Sequence, residues 1–399
     1  MSGIITEWLN LLLRWLHIVV GIGWIGTSFF FIWLDAHLSP KPGAARGSVG
    51  EIWLFHSGGF YEVEKKLVVP TEVLPSLHWF KWEAYLTWIS GVLLLIVVYY
   101  LGGGVFLIDP EQSSIGLPAA VLIGLGTLAL GWLIYDFLWR SPLAQKPALA
   151  AAISFLLLAG LAFALTRVFS GRAAYMHVGA LLGTIMAANV WRVIQPSQRE
   201  MYRVNLTGGE PDAALSKAAK LRSTHNNYMT LPVIFVMVSN HFPSTYGNVY
   251  NWLVLLVLFL AGAGVRHYLN IHDRDPRAGG VVLALSAAAF IGLIAFTALP
   301  SYERATAAAG AGRVAFAEVR PIIVERCVSC HSAKPSDDVV TQAPNGVTFD
   351  TPAQIKGFAD KIEARAVATD TMPLGNKTGM TETERVVIGR WIAEGAPLD

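Results

Sequence analysis

Eight mostly apolar stretches recur along the first 300 positions, near 9–34, 79–101, 117–139, 148–169, 174–194, 226–242, 249–269 and 279–299. A stretch of about 20 such residues is long enough to cross the hydrocarbon of a bilayer as a helix. The sixth, Asn226 to Phe242, is short and contains Pro232. The apolar rhythm then stops. Residues 301–312 are rich in Ala and Gly and read as a linker. From 313 the pattern becomes that of a small helical domain. Arg313 to Glu325 suits an opening helix, and Thr381-Glu382-Thr383-Glu384 is a capping box. The box opens a last helix whose Val387, Ile388, Trp391 and Ile392 share one face, with Gly395 at its stop. The pattern predicts an all-α chain. A polytopic membrane bundle of about eight spans (1–300) precedes a linker (301–312) and a C-terminal domain (313–399).

Composition agrees. The chain is 54% hydrophobic and 15% charged, with mean hydropathy +0.48, too apolar for a soluble protein. A net charge of +2 leaves no nucleic-acid footprint. The first apolar run is long enough to span and has no small-residue cleavage site, so it does not read as a cleaved signal peptide.

The 399 residues hold only two cysteines, both in Cys327-Val328-Ser329-Cys330-His331. C-x-x-C-H is the attachment site of a c-type haem. Two thiols add across the vinyl groups and the adjacent histidine becomes an axial iron ligand. A redox C-x-x-C would want a βαβ context, and a zinc site would want a second ligand pair, and neither pattern is present. Met/His ligation is common in cytochromes c, so the second ligand is expected downstream. Met372, in Thr371-Met372-Pro373, is the leading choice and Met380 the runner-up. This makes the C-terminal domain a class I-like cytochrome c. Covalent haem c is attached outside the bacterial cytoplasm, which puts residues 313–399 in the periplasm of an inner-membrane protein. Loop charge agrees. With eight spans, the cytoplasmic loops carry sixteen Lys and Arg against Arg167 and Arg172 outside.

Ionisable residues inside spans are functional suspects. His17 and His177 lie in the outer membrane half, at matching offsets within spans one and five, where Gly23 and Ile25 recur as Gly183 and Ile185. Each alone is most simply a packing residue. As a pair they are the expected ligands of a non-covalent haem b, with His241 able to replace either. Such a haem would relay electrons if a substrate were oxidised at the cytoplasmic face.

Two polar clusters fall on that face. One runs from His56-Ser57-Gly58-Gly59-Phe60-Tyr61 through Lys65 to Leu77-His78-Trp79-Phe80-Lys81-Trp82-Glu83-Ala84-Tyr85, and the other is Ser223-Thr224-His225-Asn226-Asn227-Tyr228. Their aromatics, lysines, histidines and amides suit a planar anion, and equally suit an interfacial belt. If they are catalytic, His225 and Glu83 are the expected bases, Lys65 and Lys81 the charge partners, and His56 a further donor.

These clusters, together with Trp15-Leu16-His17, Gly21 to Gly26, Met229-Thr230-Leu231-Pro232, Ser239-Asn240-His241 and Met372-Pro373-Leu374-Gly375-Asn376, resemble the membrane-bound, cytochrome c-linked urate oxidases, the urate hydroxylase PuuD family. The resemblance spans nearly the whole chain, with Ser57 standing where glycine is expected. It implies oxidation of urate to 5-hydroxyisourate, with electrons passed to cytochrome c, and so to a terminal oxidase chain, rather than directly to oxygen. The alternative is a non-catalytic membrane cytochrome carrying electrons from a quinol or partner subunit. A haem–copper oxidase is disfavoured because no His-His pair is available for copper.

Overall fold

The computed structural model describes residues 3–43, 47–67, 77–101, 104–209, 212–309 and 313–399. Helix α1 (Gly3–His37) is followed by two strands, β1 (Ser48–His56) and β2 (Gly59–Lys66). Next come α2 (Trp82–Leu95, prolonged by a π turn to Tyr100), α3 (Leu117–Arg140) and α4 (Pro147–Val168). Helix α5 (Gly171–Asn189) runs through a π turn at Val190–Ile194 into α6 (Gln195–Leu206). Then follow α7 (Ala213–Ser239), the short α8 (Pro243–Tyr246), α9 (Asn251–Ile271) and α10 (Pro276–Ala309). The C-terminal unit holds α11 (Phe316–Arg326), α12 (Pro352–Gly357), α13 (Ala359–Ile362) and α14 (Glu382–Ala393).

Among the described residues seven helices are long and apolar enough to cross a membrane: α1, α2, α3, α4, α5–α6, α9 and the first part of α10. The remaining expected span is α7. It is a 27-residue helix, but it begins thirteen residues before the apolar stretch, and its first half carries Lys217, Lys220, Arg222 and His225. Its second half packs inside the bundle. A Cβ at Gly179 of α5 would lie 2.5 Å from Val236, and one at Gly262 of α9 3.5 Å from Leu231. Small residues at such crossings let helices approach where no water drives them together. Helix α5 is the hub, with most of its span buried, and Ala173, Ala174, Tyr175 and Val178 are fully buried.

The all-α expectation fails between 48 and 66. There the chain forms an antiparallel hairpin in which Phe55 faces Phe60 and His56 faces Gly59. Ser57 and Gly58 make its two-residue turn at φ +50° and +78°. Such turns need both residues left-handed, which is why glycine suits position 57 better than serine. Lys41 ties the strands by bridging Glu51 and Glu62, and Lys65 reaches Asp35 of α1 at 2.6 Å. The expected linker is also largely helical, because α10 continues to Ala309. Alanine is the strongest helix former, and three close that helix. Residues 310–312 of that expected linker lie outside the described ones.

The C-terminal unit follows the reading closely. Thr381 accepts from the Glu384 N–H in the capping box, Ile388 and Trp391 are fully buried, and Gly395 sits at φ +86° after α14. An ion pair pins one of its loops: Asp337, its side chain 6% exposed, takes Lys377 at 2.6 Å. Burial alone would raise this carboxyl. Lys377 and the N–H groups of Val339 and Val340 outweigh it and hold the pKa at about 2, below the ordinary 3.8. A depressed folded-state pKa means the stabilisation is present above pH 4 or so and fades as pH falls towards 2. Asp337→Asn should therefore flatten the acid limb between about pH 4 and 2, read as pepsin cleavage within residues 313–399 of the full chain.

Candidate functional site

Helix α11 ends at Arg326, and the next turn presents Cys327 and Cys330. Both thiols are free, and Cys327 packs against the apolar cluster built on Val319, Ile323, Ile388 and Trp391. Burial, aided by Cys330, pushes the Cys327 thiol up to about 12. That is the opposite of the activated thiolate a redox C-x-x-C uses. Among the described residues no group of three or more His, Cys, Asp or Glu is placed to hold a metal ion.

His331 is partly buried, and burial lowers its pKa, keeping the ring neutral. Its Nδ1 donates to the Val347 carbonyl at 3.0 Å. A carbonyl only accepts, so Nδ1 carries the proton and Nε2 keeps its lone pair, which is how a ligating histidine is oriented. Met372 packs against the same cluster at its partly open edge. Its N–H donates to Arg365 O, and its carbonyl accepts from the buried Arg385 at 2.8 Å. Met380 is 3% exposed and belongs to the core. Cys327 and Met372 pack on one apolar cluster, the neutral His331 ring lies 5.1 Å from Phe349 of that cluster, and Cys330 follows three residues after Cys327, a set that fits a covalently held haem. Met372→Ala should remove the thioether–iron charge-transfer band of the oxidised protein, whereas Met380→Ala should keep the band and lose about 2–5 kcal/mol of stability through a core cavity.

The membrane unit holds its own polar centre, and α7 builds it. His225 Nδ1 meets Tyr135 Oη of α3 at 2.7 Å, and its ring lies 4.0 Å from that of Trp139. Asn226 reaches Asn189 and the Met186 carbonyl of α5. Asn227 bonds Asn270 and Arg266 of α9, and Tyr228 meets His267 at 2.6 Å. Four successive residues thus bind three different helices. Arg222 and Arg266, assigned by the sequence to loops, are instead buried at 3% and 4% exposure. Arg222 pairs with Asp136 at 2.9 Å, and Arg266 lies over the Phe29 ring. Tyr135, Asn189, Arg266 and Asn270 escaped the sequence reading. A charge inside the apolar run 249–269 was the one available signal.

The five expected catalytic residues do not converge. His56 sits at the exposed hairpin turn against Ser57, and Lys65 is held by Asp35. Lys81 caps α2 over the Trp82 ring. Glu83 packs beside Gly23 of α1, with one buried carboxylate oxygen lacking a partner, and His225 faces α3. The expected haem b pair is not assembled either. His17 Nδ1 bonds the Thr87 carbonyl and Ser90 of α2. His177 uses both nitrogens, on the Ala173 carbonyl and on Tyr100 Oη at 2.9 Å. A Cβ at Gly124 would lie 2.7 Å from His177 Nε2, so the ring has no open side for a porphyrin. His241 is exposed just beyond the end of α7. These residues do not fit a haem b held between His17 and His177.

Fold and site together define a mostly helical protein whose long apolar helices are those of a multi-pass membrane protein, with a small helical unit bearing the C-x-x-C-H motif at its C-terminus. A model of the urate oxidase N-terminal family matches residues 3–298, most of the chain and all seven apolar spans. The chain belongs to that family, which ties its membrane unit to urate chemistry. No curated protein and no solved structure matches it.

Proposed function

We propose that the chain is a urate oxidase of the bacterial inner membrane that sends its electrons to a cytochrome c, and through it to a terminal oxidase, rather than to oxygen. The balance is urate plus water to 5-hydroxyisourate, two protons and two electrons. The observation that carries this reading is one chain that joins a urate-family membrane unit to a Cys327-Val328-Ser329-Cys330-His331 motif, with Cys327 and Met372 packed on one apolar cluster. A haem c held there would supply one-electron acceptance, so the two electrons leave singly.

The chain's own residues set that step up. His331 offers Nε2 because Val347 holds Nδ1, and Arg385 fixes the turn bearing Met372. The Met372 turn also faces the membrane unit. Asn376 donates to Glu111 of the α2–α3 loop at 2.7 Å, and a Cβ at Gly247, beyond α8, would meet Thr371 at 2.5 Å. Three loops that share this end, α2–α3, α4–α5 and α8–α9, are the ones expected outside, with the C-terminal unit in the periplasm. The test is addition of urate, without oxygen, to purified oxidised protein. Two equivalents of reduced haem per urate consumed are expected. Haem reduced by a quinol and untouched by urate would make the protein an electron carrier instead.

A further inference from the structure

A cavity of about 290 Å³ lies between the outer loops and the C-terminal unit. Arg167, Arg172, Arg365, Gln112, Asn251 and Met372 are among the residues lining it. We propose that this cavity is where the urate anion binds, directly beside the haem c ligand, an inference that rests on the reading of the chain as a urate oxidase.

Charge makes the first argument. Three guanidiniums line one small space, and among the described residues none of them forms an ion pair with a carboxylate. Arg172 donates to Asn240 Oδ1 at 2.9 Å and lies 4.9 Å over the Phe106 ring. Arg167 lies 5.1 Å over Phe163. Arg365 belongs to the turn whose carbonyl accepts from the Met372 N–H. Asp109, Glu111 and Asp370 line the same cavity, but each is bonded elsewhere. Asp109 accepts from the Glu111 N–H and the Gln112 amide, Glu111 takes Asn376, and Asp370 leans 3.7 Å from Arg385. Arg172 and Arg365 are half-buried and Arg167 is exposed, so an anion entering the space would meet cations whose charge no carboxylate takes up.

Shape makes the second. At about 290 Å³ the cavity has room for a bicyclic purine. Urate presents planar edges of alternating carbonyl oxygen and ring nitrogen. A guanidinium fork meets such an edge with two parallel hydrogen bonds, and the amide oxygens of Gln112 and Asn251, whose NH2 groups bond Asp109 and the Tyr246 carbonyl, can accept at the remainder. Position makes the third. Met372 is in the lining itself, so electrons leaving urate reach the haem without crossing the bilayer. No relay at His17 and His177 is then needed, in keeping with the closed setting of His177. The guanidiniums could alternatively hold the propionates of the same haem, which share the anionic chemistry.

The test uses the purified full-length, haem-loaded protein, oxidised and free of oxygen. Labelled urate is measured by equilibrium dialysis, and haem reduction is followed against urate concentration, for wild type, Arg167→Gln, Arg365→Gln and Arg365→Lys. We expect each Gln variant to weaken urate binding and raise KM about tenfold or more, the loss of one bidentate contact. Arg365→Lys should recover part of it. Ascorbate should still reduce the haem in every variant, with unchanged absorption maxima, which shows that the C-terminal unit is folded and loaded. Unchanged urate binding with a shifted haem potential would assign the arginines to the propionates and overturn the proposal. Unchanged binding and potential would overturn it outright. Wild-type protein that neither binds urate nor is reduced by it would bring down the functional reading itself, a result distinct from failure of the site alone.

Discussion

Replacing Cys327 and Cys330 together by serine should abolish urate-driven electron transfer, reducing it to background while the membrane unit remains intact. The two sulfurs are the only thiols in the chain, so no other residue can replace them. They sit one turn beyond α11, with Cys330 N–H bonded back to the Cys327 carbonyl at 3.2 Å, a backbone that holds both on the same side of the motif. Without thioethers, any haem retained by His331 and Met372 would be exchangeable and lost on denaturation. The check is a haem stain on a denaturing gel, paired with urate dialysis on the native variant. Lost stain with retained urate binding is expected, because no proposed urate contact involves either cysteine. Urate-dependent electron transfer that survives in a stain-negative variant would show that electrons take another route.

The second large effect concerns stability. Asp136→Ala should cost the membrane unit about 3–5 kcal/mol, because it leaves Arg222 charged and buried with no acid partner. Arg222 is 3% exposed, and it reaches Asp136 Oδ1 at 2.9 Å and lies 4.9 Å over the Tyr135 ring. Asp136 also takes Arg140 at 2.7 Å, but Arg140 is half-exposed and rehydrates when the carboxylate is lost. The loss is large beside a total stability of roughly 5–15 kcal/mol. It should appear as a lower unfolding midpoint in detergent. Asp136→Leu combined with Arg222→Met should recover most of it, since an apolar pair of similar volume replaces a buried ion pair at little cost. A double variant no better than Asp136→Ala would show that Arg222 is kept for its bonds to the polar centre around Tyr135 and His225.

Much of the molecule is legible in the chain as written. Apolar length dictates helices wherever hydrocarbon replaces water, because each backbone group must then be satisfied within its own segment. That rule locates six of the seven apolar spans to within about five residues, while the fifth runs on to Leu206, well past the expected end at 194. The C-terminal unit is equally local: a capping box, a 3.6-residue apolar face and a glycine stop lie within fifteen residues of one another. The C-x-x-C-H spacing is local too, and so is its chemistry. The hairpin at 48–66 was present in the sequence as a Ser-Gly turn between β-prone runs, but its aromatics look the same in a membrane-interface belt.

Tertiary structure decided what depends on distant neighbours. Hydropathy averages charge along a window and cannot see a partner in another helix. It therefore sent Arg222 and Arg266 to loops, whereas Asp136 on α3 and Asn227 with Phe29 on α7 and α1 hold them inside. Matching offsets made His17 and His177 look like a pair. Their fate was settled by Thr87 and Ser90 for one and by Tyr100 and the packing at Gly124 for the other. The cavity beside Met372 is the strongest case. Its arginines come from positions 167, 172 and 365, and nothing in their local sequence joins them. They meet because Ser170 pins the α4–α5 turn to the Phe106 carbonyl, and because Asn376 and Thr371 seat the C-terminal unit on those loops. Sequence determined which segments are apolar enough to span and where the C-x-x-C-H motif falls. Only the packing of chain segments some two hundred residues apart decided that Arg167, Arg172 and Arg365 line one cavity with Met372.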